Sequence, residues 1–180
     1  MREACLPQLQ MLRPSLSDLP DMELPEGFEI KPWRRGMGEE WTRIISLSFN
    51  EPAERYKFDQ VMRNDRAFAP QRVLFLKYEG ELIATASAWH NPCHLPLRGI
   101  VHYVAVLPEW RGKQLGYWMT VAALQLMKTE RRTEAFLLTD DHRLAAIKTY
   151  LRLGFVPVLE HSSTFPERWQ TIFQALDQKR

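Results

Sequence analysis

Arg111, Gly112, Lys113 and Gly116 fall within one short turn, R-G-K-Q-L-G, which joins an apolar run and a proline stop to a helical run. A helix that starts just after a glycine-containing turn offers several unpaired backbone N–H groups, and its dipole adds about half a positive charge at that end. Phosphate oxygens are the natural partner of such a turn. Arg111 and Lys113 add full charges beside those amides, and Gly112 and Gly116 let a ligand come close to the backbone. Taken by itself the same pattern also fits a solvated connection with an ordinary helix cap. Cys5 and Cys93 lack the spacing of metal ligands, and Cys5 lies in a proline-rich stretch. No metal site and no disulfide framework is expected from them, and a reducing, cytoplasmic setting fits.

Positioning these groups falls to short strands and helices in alternation. Residues 28–33 read as a strand, and residues 39–49 as a helix with Trp41, Ile44, Ile45 and Ser48 on one stripe and acids in its first turn. Pro52 opens a second helix, to about Asn64, in which Phe58, Val61 and Met62 share a face. Residues 73–78 and 82–89 form a hairpin around Glu79-Gly80-Glu81. Residues 100–107 read as a central strand, apolar except at His102. A helix over 116–129, a strand over 135–139, a helix over 144–153 stopped by Gly154, a strand over 155–159 and a last helix over 166–176 complete the pattern. Residues 1–26, with Pro7, Pro14, Pro20 and Pro25 and no sustained period, read as an extended arm laid over the body. The rest, 27–180, reads as one domain that includes the C-terminal helix. Its class is α/β, a mixed sheet covered by helices on both faces.

The chain has 180 residues, 45% hydrophobic and 26% charged, which fits one folded domain. Its 24 basic and 22 acidic residues leave a net charge of +2, so no global field draws it to nucleic acid and any anion site must be local. No apolar run is long enough for a signal peptide or a membrane span.

The stretch V-A-V-L-P-E-W-R-G-K-Q-L-G resembles the cofactor-binding segment of the GNAT acyltransferase superfamily, with Arg111 and Gly116 at the ends of its pattern. A second stretch, L-L-T-D-D-H-R-L-A-A-I-K-T-Y-L-R-L-G-F, resembles that family's later signature through Ala146, Ile147, Tyr150, Gly154 and Phe155. The resemblance runs from the strand at Phe28 to the strand ending near Leu159. It implies a mostly antiparallel central sheet with helices on both faces, and acetyl-CoA as co-substrate with no metal. It also implies that backbone groups of Val104, Ala105 and Val106 pair with the pantetheine arm. Amides of Arg111, Gly112, Lys113, Gln114, Leu115, Gly116 and Tyr117 would hold the pyrophosphate. Gln114 stands where the family usually has glycine, and Arg143 where many members have asparagine.

In such enzymes an amine attacks the thioester directly and the departing thiolate gains a proton, for which Tyr150 is the candidate acid. A thiol near pKa 8.5 and a phenol near about 10 are close enough to share that proton. His102 is the candidate base, because imidazole titrates at about pH 6.5 and this one lies beside the cofactor contacts; a structural role in the strand is the competing reading. Glu51, His90, Asp140 and Asp141 are alternatives near strand ends and loops. Trp89, Trp110 and Trp118 read as packing residues, and Lys128, Arg131 and Arg132 with Glu130 as a solvated helix end. The expected activity is N-acetyl transfer to a small-molecule or peptide amine, with no membrane or nucleic-acid partner and with room for a homodimer. A catalytically silent acyl-CoA-binding module is the alternative.

Overall fold

A computed structural model describes residues 6–91 and 95–178, so Cys5 and Cys93, with the expectations placed on them, lie outside the described residues. The strands are β1 (Leu9–Arg13), β2 (Phe28–Pro32), β3 (Val73–Tyr78), β4 (Glu81–His90), β5 (Arg98–Val106), β6 (Glu134–Thr139) and β7 (Val156–Pro157). The helices are α1 (Gly38–Phe49), α2 (Leu115–Thr129), α3 (Leu144–Arg152) and α4 (Phe165–Asp177). They build one seven-stranded sheet in the order β2-β3-β4-β5-β6-β1-β7, in which only the β5–β6 pair is parallel.

Every residue of β4 from Ile83 to Trp89 is buried, so both faces of the sheet are covered. Both α1 and α2 pack on β4 and β5. Trp41 of α1 meets Tyr103 of β5, with ring centroids 5.0 Å apart, while Met127 of α2 fills the space that Gly99 of β5 leaves open. Fixing α1 and α2 against β5 places the start of α2 directly beyond that strand's end. Among the described residues no helix is long and apolar enough to cross a membrane.

Three local expectations are corrected. The N-terminal stretch is not laid over the body: Leu9–Arg13 is a strand inside the sheet, pairing with β6 on one side and β7 on the other. Leu9, Met11 and Arg13 alternate inward, and Pro7 and Pro14 bracket the strand rather than abolish it. The helix expected after Pro52 is instead a 3₁₀ turn at Ala53–Tyr56 and a π turn at Asp59–Arg63, because Lys57 between them is extended at φ −64 and ψ 115. The strand expected over 155–159 contracts to Val156–Pro157.

Candidate active site

β5 supplies the first half of the site by two departures from regular pairing. Its register to β4 runs Ala105 opposite Thr85 and His102 opposite Ser87, so Tyr103 and Val104 together face Ala86, and Tyr103 sits at φ 49. This is a β-bulge, which breaks alternation and frees backbone groups from the ladder. His102 and Tyr103, which would point to opposite faces in a regular strand, stand side by side with ring centroids 4.1 Å apart. On its other side β5 pairs with β6 only from Arg98–Ile100, and beyond Phe136 the two strands part. The gap between them is the floor of a cavity of about 930 Å³.

α3 supplies the second half. Gly154, at φ 78, takes the left-handed position after the helix; its N–H donates to Leu151 O, and the Phe155 N–H donates to Tyr150 O, both at 3.0 Å. These two bonds make a Schellman closure, and its usual apolar contact is here the Tyr150–Phe155 ring pair at 5.9 Å. The spacing Y-x-x-x-G-F is therefore a way of fixing one tyrosine by backbone geometry. Tyr150 is only 8% exposed, it lines the cavity, and its hydroxyl has no hydrogen-bond partner among the described residues.

The turn before α2 completes the frame. Arg111 N–H donates to Pro108 O and Tyr117 N–H to Gln114 O, which leaves the amides of Gly112, Lys113, Gln114, Leu115 and Gly116 without an acceptor among the described residues. Gly112 at φ 80 has nothing within 4 Å of the place a side chain would take. Gln114, also left-handed at φ 57, turns its side chain away to accept from Arg152 Nη1 at 2.7 Å. A residue other than glycine in that conformation costs roughly 1–2 kcal/mol and leaves the neighbouring amides in place. The Arg111 guanidinium donates to Ser48 O at 2.7 Å, and Lys113 lies 4.5 Å over the Trp110 ring. Free amides at the start of α2, an opened strand edge on β5 and a roomy cavity fit a long ligand with a phosphate end and a reactive end.

Comparison with known proteins decides the kinship. Residues 35–155 match the Acetyltransferase (GNAT) family. The chain belongs to the GNAT acetyltransferase family. It is 31% identical over 160 residues to a mycothiol acetyltransferase of Kytococcus sedentarius, covering 83% of this chain and 53% of that protein. A mycothiol acetyltransferase of Streptomyces coelicolor is 28% identical over 156 residues, covering 83% and 50%. The chain thus spans about half the length of these curated relatives. A GNAT-family acetyltransferase structure from Colwellia psychrerythraea shares the fold with a TM-score of 0.66 at 11% identity, over 84% of this chain and 53% of that one. A putative GNAT acetyltransferase from Novosphingobium aromaticivorans superposes with a TM-score of 0.64 at 22% identity, over 84% and 60%.

Within this GNAT fold, burial sets the state of both central titratable groups. Desolvation pushes the Tyr150 phenol up to about 12, against a smaller opposite pull from the Arg143 charge. Desolvation likewise pushes His102 down to about 4, with Asp65 pulling weakly the other way. His102 is neutral near pH 7, yet it binds a proton too weakly to compete well for that of an alkylammonium near about 10. His90 is also lowered, by burial first and then by the charges of Arg72 and Arg132. Its Nε2 lies 2.6 Å from Arg72 Nη1, where it can only accept, since a guanidinium has no lone pair to give.

The GNAT cavity gathers Tyr150, His102, His90, Glu51 and Asp140, but not Asp141, which is held at a lowered pKa by its hydrogen bond to Arg168 of α4. Arg143 lines the cavity as well, donating to Asp140 at 2.8 Å and stacking 4.2 Å over Phe49 at the end of α1. Sequence reasoning missed Phe49, Tyr56, Tyr103 and Asp65, all of which line it too. No local pattern marks them, because the three rings meet only through the fold, with Phe49–Tyr56 at 5.8 Å and Tyr56–Tyr103 at 6.2 Å. Trp89 also reaches the cavity wall, whereas Trp110 packs on Phe28 and Tyr78. The helix end at Glu130 and Arg132 is not solvated as expected: Glu130 accepts from Arg72 Nε at 2.7 Å, and both side chains are mostly covered.

Proposed function

We propose that this chain transfers an acetyl group from acetyl-CoA to a primary amine by direct attack. The observation that carries the proposal is the combination of the free amides of Gly112–Gly116, the parted β5 and β6, and a cavity lined by Tyr150 and the β5 bulge. Amides of Gly112, Lys113, Gln114, Leu115 and Gly116 take the pyrophosphate, aided by the dipole of α2. The edges of Val104, Ala105 and Val106 take the amides of the pantetheine arm, as a further strand would pair. A backbone N–H freed at the bulge faces the thioester carbonyl and steadies the charge that develops on its oxygen.

The neutral amine nitrogen forms a bond to the carbonyl carbon, the carbon–sulfur bond breaks, and the electron pair leaves with sulfur. Tyr150 donates its hydrogen bond, and finally its proton, to that sulfur, and the proton that the new amide nitrogen sheds returns through cavity water to the phenolate. A buried phenol at about 12 stays protonated throughout the working pH range, so the donor is always loaded. The same lack of water that raises the phenol also raises the departing thiolate, which keeps the two proton affinities near each other. Arg143 adds positive charge beside both. The ammonium proton of the acceptor leaves by way of cavity water and a wall carboxylate, Glu51 or Asp65, rather than His102. The relatives named mycothiol acetyltransferase, and the mixed ring and carboxylate wall, support a small amine rather than a peptide as the acceptor.

Free thiol released from acetyl-CoA across an amine panel that includes the acceptor of mycothiol acetyltransferases tests the reading. One acceptor should turn over, and Tyr150→Phe should lower kcat by about 10²-fold or more while calorimetry still finds coenzyme A bound. Coenzyme A binding with no turnover on any amine would support the alternative of a silent acyl-CoA-binding module, and absence of binding would end both readings.

A further inference from the structure

β1 lies outside the residues that match the family, yet it grips both ends of the helix that carries Tyr150. At the far end, Arg13 is 6% exposed, and its Nη1 donates to the Leu153 carbonyl at the C-terminus of α3. Its Nη2 is held by Asp18, through the carboxylate at 2.9 Å and the carbonyl at 3.2 Å. At the near end Gln8, immediately before β1, donates to Asp140 Oδ1 at 3.0 Å, and the other oxygen of Asp140 accepts from Arg143 at the N-cap of α3. The lengths match: the steps from residue 8 to residue 13 of an extended chain span roughly 17 Å, and a helix the size of α3 roughly 14 Å.

A guanidinium at a helix C-terminus is favoured by the dipole and satisfies a carbonyl the helix leaves open. Burying one costs much more than an exposed charge would, however, and its Nε has no partner among the described residues. Gly154 supplies the room, because a Cβ there would overlap Arg13 Nη1. The carbonyl that Arg13 caps belongs to the residue three after Tyr150, inside the same closure that fixes the Tyr150 backbone.

We propose that Arg13 is a positioning residue for Tyr150, and that β1 acts as a clamp setting the height of the phenol in the cavity. The inference rests on the reading of Tyr150 as the proton donor. Small displacements matter at such a group, since a hydrogen bond to a forming thiolate weakens steeply with distance and angle.

The test compares Arg13→Met, Arg13→Lys and Gln8→Ala, alone and combined with Tyr150→Phe, with acetyl-CoA and the acceptor found by the amine panel. Arg13→Met should lower kcat about tenfold with the coenzyme A dissociation constant changed less than twofold, and Arg13→Lys, which keeps a donor for Leu153 O, should recover part of the loss. In the Tyr150→Phe background Arg13→Met should cause no further loss, because its effect passes through the missing hydroxyl. A merely structural role would give losses that multiply in the combined variant, and that result overturns the inference, as does an unchanged kcat. If Arg13→Met does not fold, Arg13→Lys and the exposed Gln8→Ala carry the same comparison. Full turnover in Tyr150→Phe alone would sink the donor reading and this inference together; impaired Tyr150→Phe beside normal Arg13→Met would sink only the clamp.

Discussion

Tyr150 and His102 differ in charge type, so the same burial moves their proton affinities in opposite directions and leaves both neutral at pH 7. At His102 the unfolded chain takes up a proton below about 6.5, whereas the native protein resists until about 4, so the stability present above pH 6.5 drains away as pH falls through that window. Urea unfolding at pH 7 and pH 4.5 should therefore show the wild type losing about 2–3 kcal/mol more than His102→Gln. Parallel losses in the two proteins would mean that the imidazole is hydrated in solution. Tyr150 behaves in mirror image, with stability intact below pH 10 and lost as pH rises toward 12, and Tyr150→Phe should flatten that alkaline loss. The tyrosine was legible in the sequence because its partners, Gly154 and Phe155, are near neighbours. Asp65, Phe49 and Tyr56 were not, since nothing near them in the chain tells that they face one hollow.

The elements divide along the same line. α3 and the turn into α2 could be read directly, because capping glycines, helical stripes and a proline stop are signals between residues a few places apart. The helix boundaries followed to within a residue, Leu115–Thr129 against 116–129 and Leu144–Arg152 against 144–153. β1 could not be read, since its pairing partners, such as Thr139 opposite Leu9, lie far along the chain. The bulge at Tyr103 escaped for a related reason: a left-handed tyrosine carries no glycine to announce it. Two glycines with nearly equal φ now separate strain from crowding. Gly154→Ala meets both, at φ 78 and against Arg13 Nη1, and should destabilise the fold by about 2–3 kcal/mol and lower kcat while coenzyme A still binds. Gly112→Ala, at φ 80 in open space, should cost only roughly 1–2 kcal/mol and weaken coenzyme A binding instead. Denaturant midpoints with calorimetry distinguish the two, and an exchange of the two phenotypes would refute the assignment of the turn to binding and α3 to chemistry.

Across the whole molecule, the seven strands join into one sheet that opens between β5 and β6 beyond Ile100. β4 and β5 are paired on both sides of the bulge at Tyr103 and β1 ties β6 to β7, but β5 and β6 share only Arg98–Ile100 and then separate. Two well-knit halves, β2 to β5 and β6 with β1 and β7, are therefore joined along a short seam, and the parted edges leave backbone groups that only water or a ligand can satisfy. A molecule lying in that gap with its phosphates on Gly112–Gly116 would bond to the open edge of β5 and to the α2 N-terminus, filling the space that β6 leaves where it parts from β5. Ligand that binds the native state alone stabilises it by mass action, about 2.7 kcal/mol at a hundred times its dissociation constant. For a chain of this size that corresponds to a rise in Tm of roughly 5–10 °C. Coenzyme A at that excess should give the full shift, and pantetheine, which lacks the phosphate end, a much smaller one at equal concentration. Hydrogen exchange should slow at Val104, Ala105 and Val106 together with the turn amides, whereas slowing at the turn alone would show that phosphate is gripped but the open edge of β5 is not used.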